Sequence, residues 1–425
     1  MNHKKTGADL RAQGQCRGLI ASILLLAAWP ALAEVDFTAA GVARYEYNTN
    51  VFDLQNGFPV PGTTNDFQRS DRLYTYGGLL DTAYLWDQQK LFGTFTANKF
   101  EYDNFTFLDH FEYTADGGLN WKLGSILDGT LEALRDRTMV AFTNVNNAQF
   151  VLQIEQRENA KAGLEFIPDW RLEGSGYHRT VDQSYLNQGG LDLSESQEQV
   201  ALRYLGLAGL TAGLSFAYTD GRYTGAGAEF NPDYRQTSFS FTSTYAPTGR
   251  STFKGAVGYS DRRSAEANNS ISGITGELDY DNQITGKTSA HVQISRLINS
   301  YISNTSSEID SIANASVRWQ ASYHLGVAAG YTYTYRDLPG QGNAPLGGNR
   351  IDHLQYATLN VDFDPFRWLI LKPYANYQVR TSNFVSGNFN ATVVGLNFTV
   401  QWQQPPPLAP RIQRPAEPSP ADQPP

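Results

Sequence analysis

Sulfur is scarce in this 425-residue chain, which has one cysteine, Cys16, and two methionines. One thiol excludes an intrachain disulfide, and Cys16 lies ahead of an apolar run rather than after it, so it is not placed as a lipoprotein acceptor. Long apolar runs are missing as well. Beyond the N-terminus nothing approaches the roughly 18 consecutive apolar residues of a transmembrane helix, and the mean hydropathy is −0.41. The motifs GxSxG, HExxH, Walker A and strand-to-helix GxGxxG are all absent, so the chain offers no familiar catalytic frame. What it does have is 24 Tyr, 23 Phe and 38 Gly, a composition that favours strands and points to a large all-β protein.

The N-terminus carries Lys4, Lys5, Arg11 and Arg17, then the apolar LIASILLLAAWPALA with small residues at Ala31 and Ala33. This pattern predicts a cleaved secretory signal over residues 1–33. Removing that segment, with four basic and one acidic residue, leaves 29 basic residues against 41 acidic ones, a net charge of −12. Such a balance argues against nucleic acid as a partner.

From 34 to 402 the chain alternates with period two in segments of about ten residues. In GVAAGYTYTY, Val327, Ala329, Tyr331, Tyr333 and Tyr335 share one face, and in LTAGLSFAYT so do Leu210, Ala212, Leu214, Phe216 and Tyr218. A soluble sandwich also alternates, so the connections must decide. Short turns at 86–90, 122–126, 167–170, 205–209, 246–249, 284–286, 323–326 and 364–368 interleave with connections at 50–71, 103–109, 138–149, 181–195, 220–233, 261–271, 299–310, 336–351 and 381–388. These second connections are mostly longer and more polar. The count predicts an all-β transmembrane antiparallel barrel of about 18 strands in the bacterial outer membrane, with its short turns periplasmic and lipid as its first partner. Trp86, Trp121, Trp170, Trp319, Trp368 and Trp402 all fall at the short-turn end, where amphipathic rings form an interface girdle.

The ending GLNFTVQW sets Phe398, Val400 and Trp402 two apart, similar to the signal that barrel-assembly machinery reads on terminal strands. Residues 403–425, QQPPPLAPRIQRPAEPSPADQPP, are too proline-rich to fold and predict an extended, disordered periplasmic tail.

Alternation aims Glu112, Asp116, Asp128 and Glu132 at the lumen from one wall, and Arg318, Arg336, Lys372 and Arg380 from a wall roughly opposite. These are the candidate lumen charges. A transverse field that orients a polar solute is one account of them, and the ordinary wetting of a barrel interior is the other. His110, His178, His291, His324 and His353 are isolated in sequence. The pairs Asp279/Asp281 and Asp362/Asp364 could hold a hard cation but read equally as lumen and turn residues. The aromatic-acid-Asn stretches YEYNTN, EYDNFTF and LDYDNQI combine the groups of a sugar site, and strand ends account for the same residues. No catalytic, cofactor or metal residue is assigned, and no cofactor is expected.

The signal, the element YEYNTNVF, the block LDTAYLWDQQKLFGTFTANKFEYDNFTFLDHFEYTADGGLNWKLG and the GLNFTVQW ending together resemble the exopolysaccharide-biosynthesis outer-membrane proteins of EpsL type, within a wider group of β-barrel porins. The resemblance implies a barrel that takes part in polysaccharide production or export, as a passage or as a support for periplasmic export components. An ordinary or substrate-selective diffusion porin is the alternative, and an outer-membrane hydrolase or lipid-modifying enzyme the third reading.

Overall fold

The computed structural model describes residues 34–60, 67–142, 150–185, 191–225, 233–264, 270–299, 308–339, 349–384 and 387–403. The expected signal segment 1–33 and the tail beyond Gln403 lie outside the described residues. Eighteen strands follow one another in chain order: β1 (Glu34–Asn48), β2 (Asp71–Trp86), β3 (Gln89–Tyr102), β4 (His110–Leu123), β5 (Leu127–Met139) and β6 (Val151–Ile167). Next come β7 (Trp170–Tyr185), β8 (Leu191–Leu207), β9 (Leu210–Gly225), β10 (Tyr234–Thr248), β11 (Ser251–Ser264) and β12 (Ile271–Thr285). The ring is completed by β13 (Thr288–Asn299), β14 (Glu308–Ser322), β15 (Leu325–Leu338), β16 (Arg350–Phe366), β17 (Leu369–Ser382) and β18 (Phe389–Gln403).

Each strand pairs antiparallel with its neighbours in sequence, and β1 pairs with both β2 and β18, as in Gly41 opposite Gly78 and opposite Val400. The sheet is thus a closed barrel with no open edge. In hydrocarbon that closure is obligatory, because each unpaired backbone group would cost several kcal/mol. Eight tight turns join the strands in pairs at one end. Asp87, Asp169 and Gly209 adopt positive φ there, the twist that two-residue hairpins require.

The outward face is apolar. Val257, Ile274, Val200, Phe216, Phe239 and Ile294 are all more than half exposed, so they have no protein to pack on and meet lipid instead. Trp86, Trp170, Trp319, Trp368 and Trp402 are exposed at the tight-turn end, with Trp121 half-exposed. Tyr45, Tyr47, Tyr74 and Tyr76 are exposed towards the other end, where the Tyr45 and Tyr74 rings lie 5.5 Å apart. An even-stranded closed barrel with an apolar band between two aromatic girdles is the architecture of the bacterial outer membrane, and this protein belongs there.

At the long-connection end the strands run further than the sequence alternation suggests. The segments 181–195 and 220–233 are expected as loops, yet β7 reaches Tyr185, β8 starts at Leu191 and β9 reaches Gly225. The reason lies in the outward face, which on β9 passes from Leu214, Phe216 and Tyr218 to Asp220 and Arg222. Once the strand leaves the lipid it keeps its ladder and loses its apolar period.

Candidate functional site

The inward faces of the strands form the candidate site, because they are polar and ring one interior. β4 and β5 turn Phe111 and Leu131 out to lipid, which by the two-residue period turns Glu112, Asp116, Asp128 and Glu132 inward. The exposed Val317, Trp319 and Tyr377 do the same for Arg318 on β14 and for Lys372 and Arg380 on β17. Arg336 on β15 is buried, 1% exposed.

The two sets are not bare walls of opposite sign. Asp128 accepts a bidentate pair of hydrogen bonds from Arg171, Nη1 and Nη2 each at 2.7 Å, reaching across β6 from β7. Arg171 also donates to Glu173 at 3.0 Å, and Glu173 is further approached by Arg203 at 2.9 Å and Lys161 at 3.7 Å. The acidic wall therefore adjoins a basic one on β6 to β8. On the far side Asp362 faces Arg318 at 2.8 Å and Lys372 at 3.4 Å, while Arg336 lies between Asp310 at 3.1 Å and Glu308 at 3.2 Å. Arg380 donates to the Gly387 carbonyl and lies over the Phe389 ring. Local pairing of this kind shortens the range of any transverse field. Arg171, Glu173 and Arg203 were not among the expected lumen charges, although in WRLEG and ALRYL all three fall on the side of the strand opposite Leu172 and Leu202.

The long-connection end of the lumen is partly roofed by the chain itself. In the connection after β1, Val51, Phe52 and Val60 pack with Phe105, Leu108 and Phe142 onto the inward Leu73 and Tyr102. Polar clamps fix this cap. The Asn50 amide donates to the Leu54 and Asn390 carbonyls, each at 2.9 Å, and Arg69 donates to the Leu54 and Phe58 carbonyls and to Asn56. Asp71, 2% exposed, accepts hydrogen bonds from the backbone N–H groups of Asn104 and Phe105 and from the Asn104 side chain, and so holds the 103–109 connection against it. Between cap and wall lies a cavity of about 310 Å³.

The histidines do not meet. His110 is buried against the Leu108 carbonyl and Glu112, His291 pairs with Asp281 at 2.8 Å, His324 contacts the Asp364 carbonyl, and His353 accepts from or donates to Tyr333. Among the described residues no three His, Cys, Asp or Glu side chains are grouped to hold a metal ion. His178 Nδ1 lies 2.9 Å from Ser196 Oγ on the outward face, but no carboxylate is bonded to that imidazole. The surrounding amides are engaged in the β6–β7–β8 ladder, so the pair lacks both an orienting acid and a free oxyanion donor.

No family model matches the chain, and no curated protein does. Solved structures similar in shape include the outer-membrane protein OpdK of Pseudomonas aeruginosa, at 10% identity and a TM-score of 0.48, over 86% of this chain and 99% of that one. OccK2 (OpdF) of the same organism matches at 9% identity and 0.49, over 87% and 99%. OccAB3 of Acinetobacter baumannii matches at 11% identity and 0.47, over 87% and 100%.

Proposed function

We propose that the protein is an outer-membrane diffusion channel for small hydrophilic solutes. The observation that carries this reading is the inward face itself: a closed ring of 18 strands lined by ion-paired Arg, Lys, Asp and Glu side chains. Barrels of 16 to 18 strands are wide enough to leave an aqueous channel, and charged side chains there stay solvated without cost to the lipid-facing band. The exopolysaccharide-export reading draws on the sequence resemblance alone, and no contact among the described residues favours it. In planar bilayers the purified barrel is expected to produce discrete conductance steps, and in liposomes to admit small sugars and ions. A barrel that inserts with native heat-modifiable mobility yet conducts nothing would overturn the channel reading.

A further inference from the structure

Two of the three aromatic-acid-Asn stretches in the sequence come together in space. YEYNTN ends β1 and EYDNFTF ends β3, and Glu46 and Asn48 from the first line the capped cavity together with Tyr102 from the second. LDYDNQI, on β12, lies elsewhere in the ring. Arg44, Asp53, Asp71, His110 and Glu112 complete the polar lining, with Asp71 and His110 engaged by the 103–109 connection.

The free hydrogen-bonding capacity of this lining is uneven. Glu46 uses Oε2 to accept from the Tyr374 hydroxyl, and Glu112 uses Oε1 for the Met139 amide and His110. Each keeps its second oxygen. Asp53 stands on a turn with φ 51°, and among the described residues its carboxylate makes no hydrogen bond, the Arg380 guanidinium acting on it only at a distance. Asn48 has accepted a bond from the Asn50 amide at 2.8 Å and retains its NH₂. Arg44, whose Nε and Nη2 both reach Thr75 Oγ1, keeps Nη1 4.0 Å from Glu46.

Carboxylate acceptors dominate, with an amide and a guanidinium as donors beside them. A simple anion is repelled by the four carboxylates of Glu46, Asp53, Asp71 and Glu112. A simple cation would leave the donors of Asn48 and Arg44 unused. Hydroxyl groups donate and accept at once, and several on one rigid ring can meet both kinds of partner. The volume is at the small end for ligand cavities, which run from roughly 300 to 1,000 Å³. We infer that this cavity is a binding subsite for a single sugar ring or similar polyol at the external mouth, entered under the cap formed by residues 50–60. The inference rests on the channel reading and names a solute class for it.

The test is single-channel recording on the full-length protein, with D-glucose added from the long-loop side. Sugar is expected to interrupt the current in a concentration-dependent way. At pH 8, where Asp53 is mostly ionised, Glu46→Gln combined with Asp53→Asn is expected to weaken that block at least about tenfold, since each loses a charge-assisted bond, whereas Glu277→Gln on the remote β12 leaves it unchanged. Normal conductance with no block at high sugar, or block by ethanolamine and not by glucose, would overturn the subsite and leave the channel standing. If the barrel does not conduct but calorimetry detects glucose binding that the double variant loses, the subsite stands and the channel reading falls.

Discussion

Asp53 is a carboxyl seated in the cap between the buried Phe52 and the cavity. Desolvation raises its carboxyl from the ordinary 3.8 to about 7, with the Arg380 guanidinium pulling the other way. Arg44, Glu46, Asp71, His110 and Glu112 line the same cavity, so Asp53 ionises among more acids than bases. A carboxyl whose pKa is raised by seating favours the seated cap while it is neutral. That preference is complete below its ordinary pKa, declines as pH rises from about 4 to 7, and is level above that. Amide exchange at Val51 and Leu54, which donate to Arg69 O and Asn50 Oδ1, is therefore expected to lose protection over that range. Asp53→Asn should flatten the dependence; an unchanged slope in that variant would assign the titration to another group. Asp71 acts as an anchor, accepting from the Asn104 and Phe105 backbone N–H groups and from the Asn104 side chain. Asp71→Ala would take the acceptor from three donors of the 103–109 connection and from the Arg72 N–H and is expected to loosen that connection by about 2–3 kcal/mol, read as local exchange in the segment.

The strands and their pairing were legible because lipid imposes a strict period of two, and a slip of one residue would turn every charge outward. Thus Phe111 out and Glu112 in could be read from HFEY alone. The cap was not legible: NTNVFDLQNGFPVPG is long enough to fold inward, but nothing local shows that Phe52 will meet Phe105 and Phe142, which come from two later connections. Pairing partners across the seam were equally invisible, because Asn50 and Asn390 are 340 residues apart. One device at that seam has a clear mechanical reading. Tyr374 on β17 lies flat over Gly395 on β18, its cross-strand partner, and donates its hydroxyl to Glu46 on β1. A Cβ at 395 would collide with the Tyr374 ring. Trp121 covers Gly129 in the same manner on the lipid side. Gly395→Val is expected to destabilise closure by about 1–3 kcal/mol, seen as a lower urea midpoint for heat-modifiable mobility. Gly395→Ala with Tyr374→Ser should recover part of it; no recovery would mean that backbone freedom rather than the ring demands glycine there.

Orientation and selectivity are properties of the entire barrel. Short turns facing the periplasm mean that cysteine introduced at exposed Asn56, in the cap, should react with an impermeant maleimide on intact cells, while cysteine at Gln88, in the β2–β3 turn, should not. The reverse labelling would invert the topology. Selectivity then depends on which lumen charges can be altered without breaking the wall. Arg336 is unsuitable, because Glu308 and Asp310 beside it are 1% and 0% exposed. Removing their partner would strand buried charge at a cost of about 3–5 kcal/mol. Arg318 and Lys372 are better probes, being 31% and 49% exposed and sharing Asp362. Replacing both by Gln leaves that carboxylate facing the channel and is expected to move the reversal potential towards cation selectivity. Asp116→Asn with Glu132→Gln, on the opposite wall, should move the reversal potential the other way. Because charges of both signs already stand side by side around the ring, each shift should be modest. It should shrink further as salt shortens the screening length from about 10 Å at 0.1 M to about 3 Å at 1 M. If both double variants insert normally and leave the reversal potential where it was, the paired charges serve only to wet and brace the wall, and selectivity must come from the capped mouth.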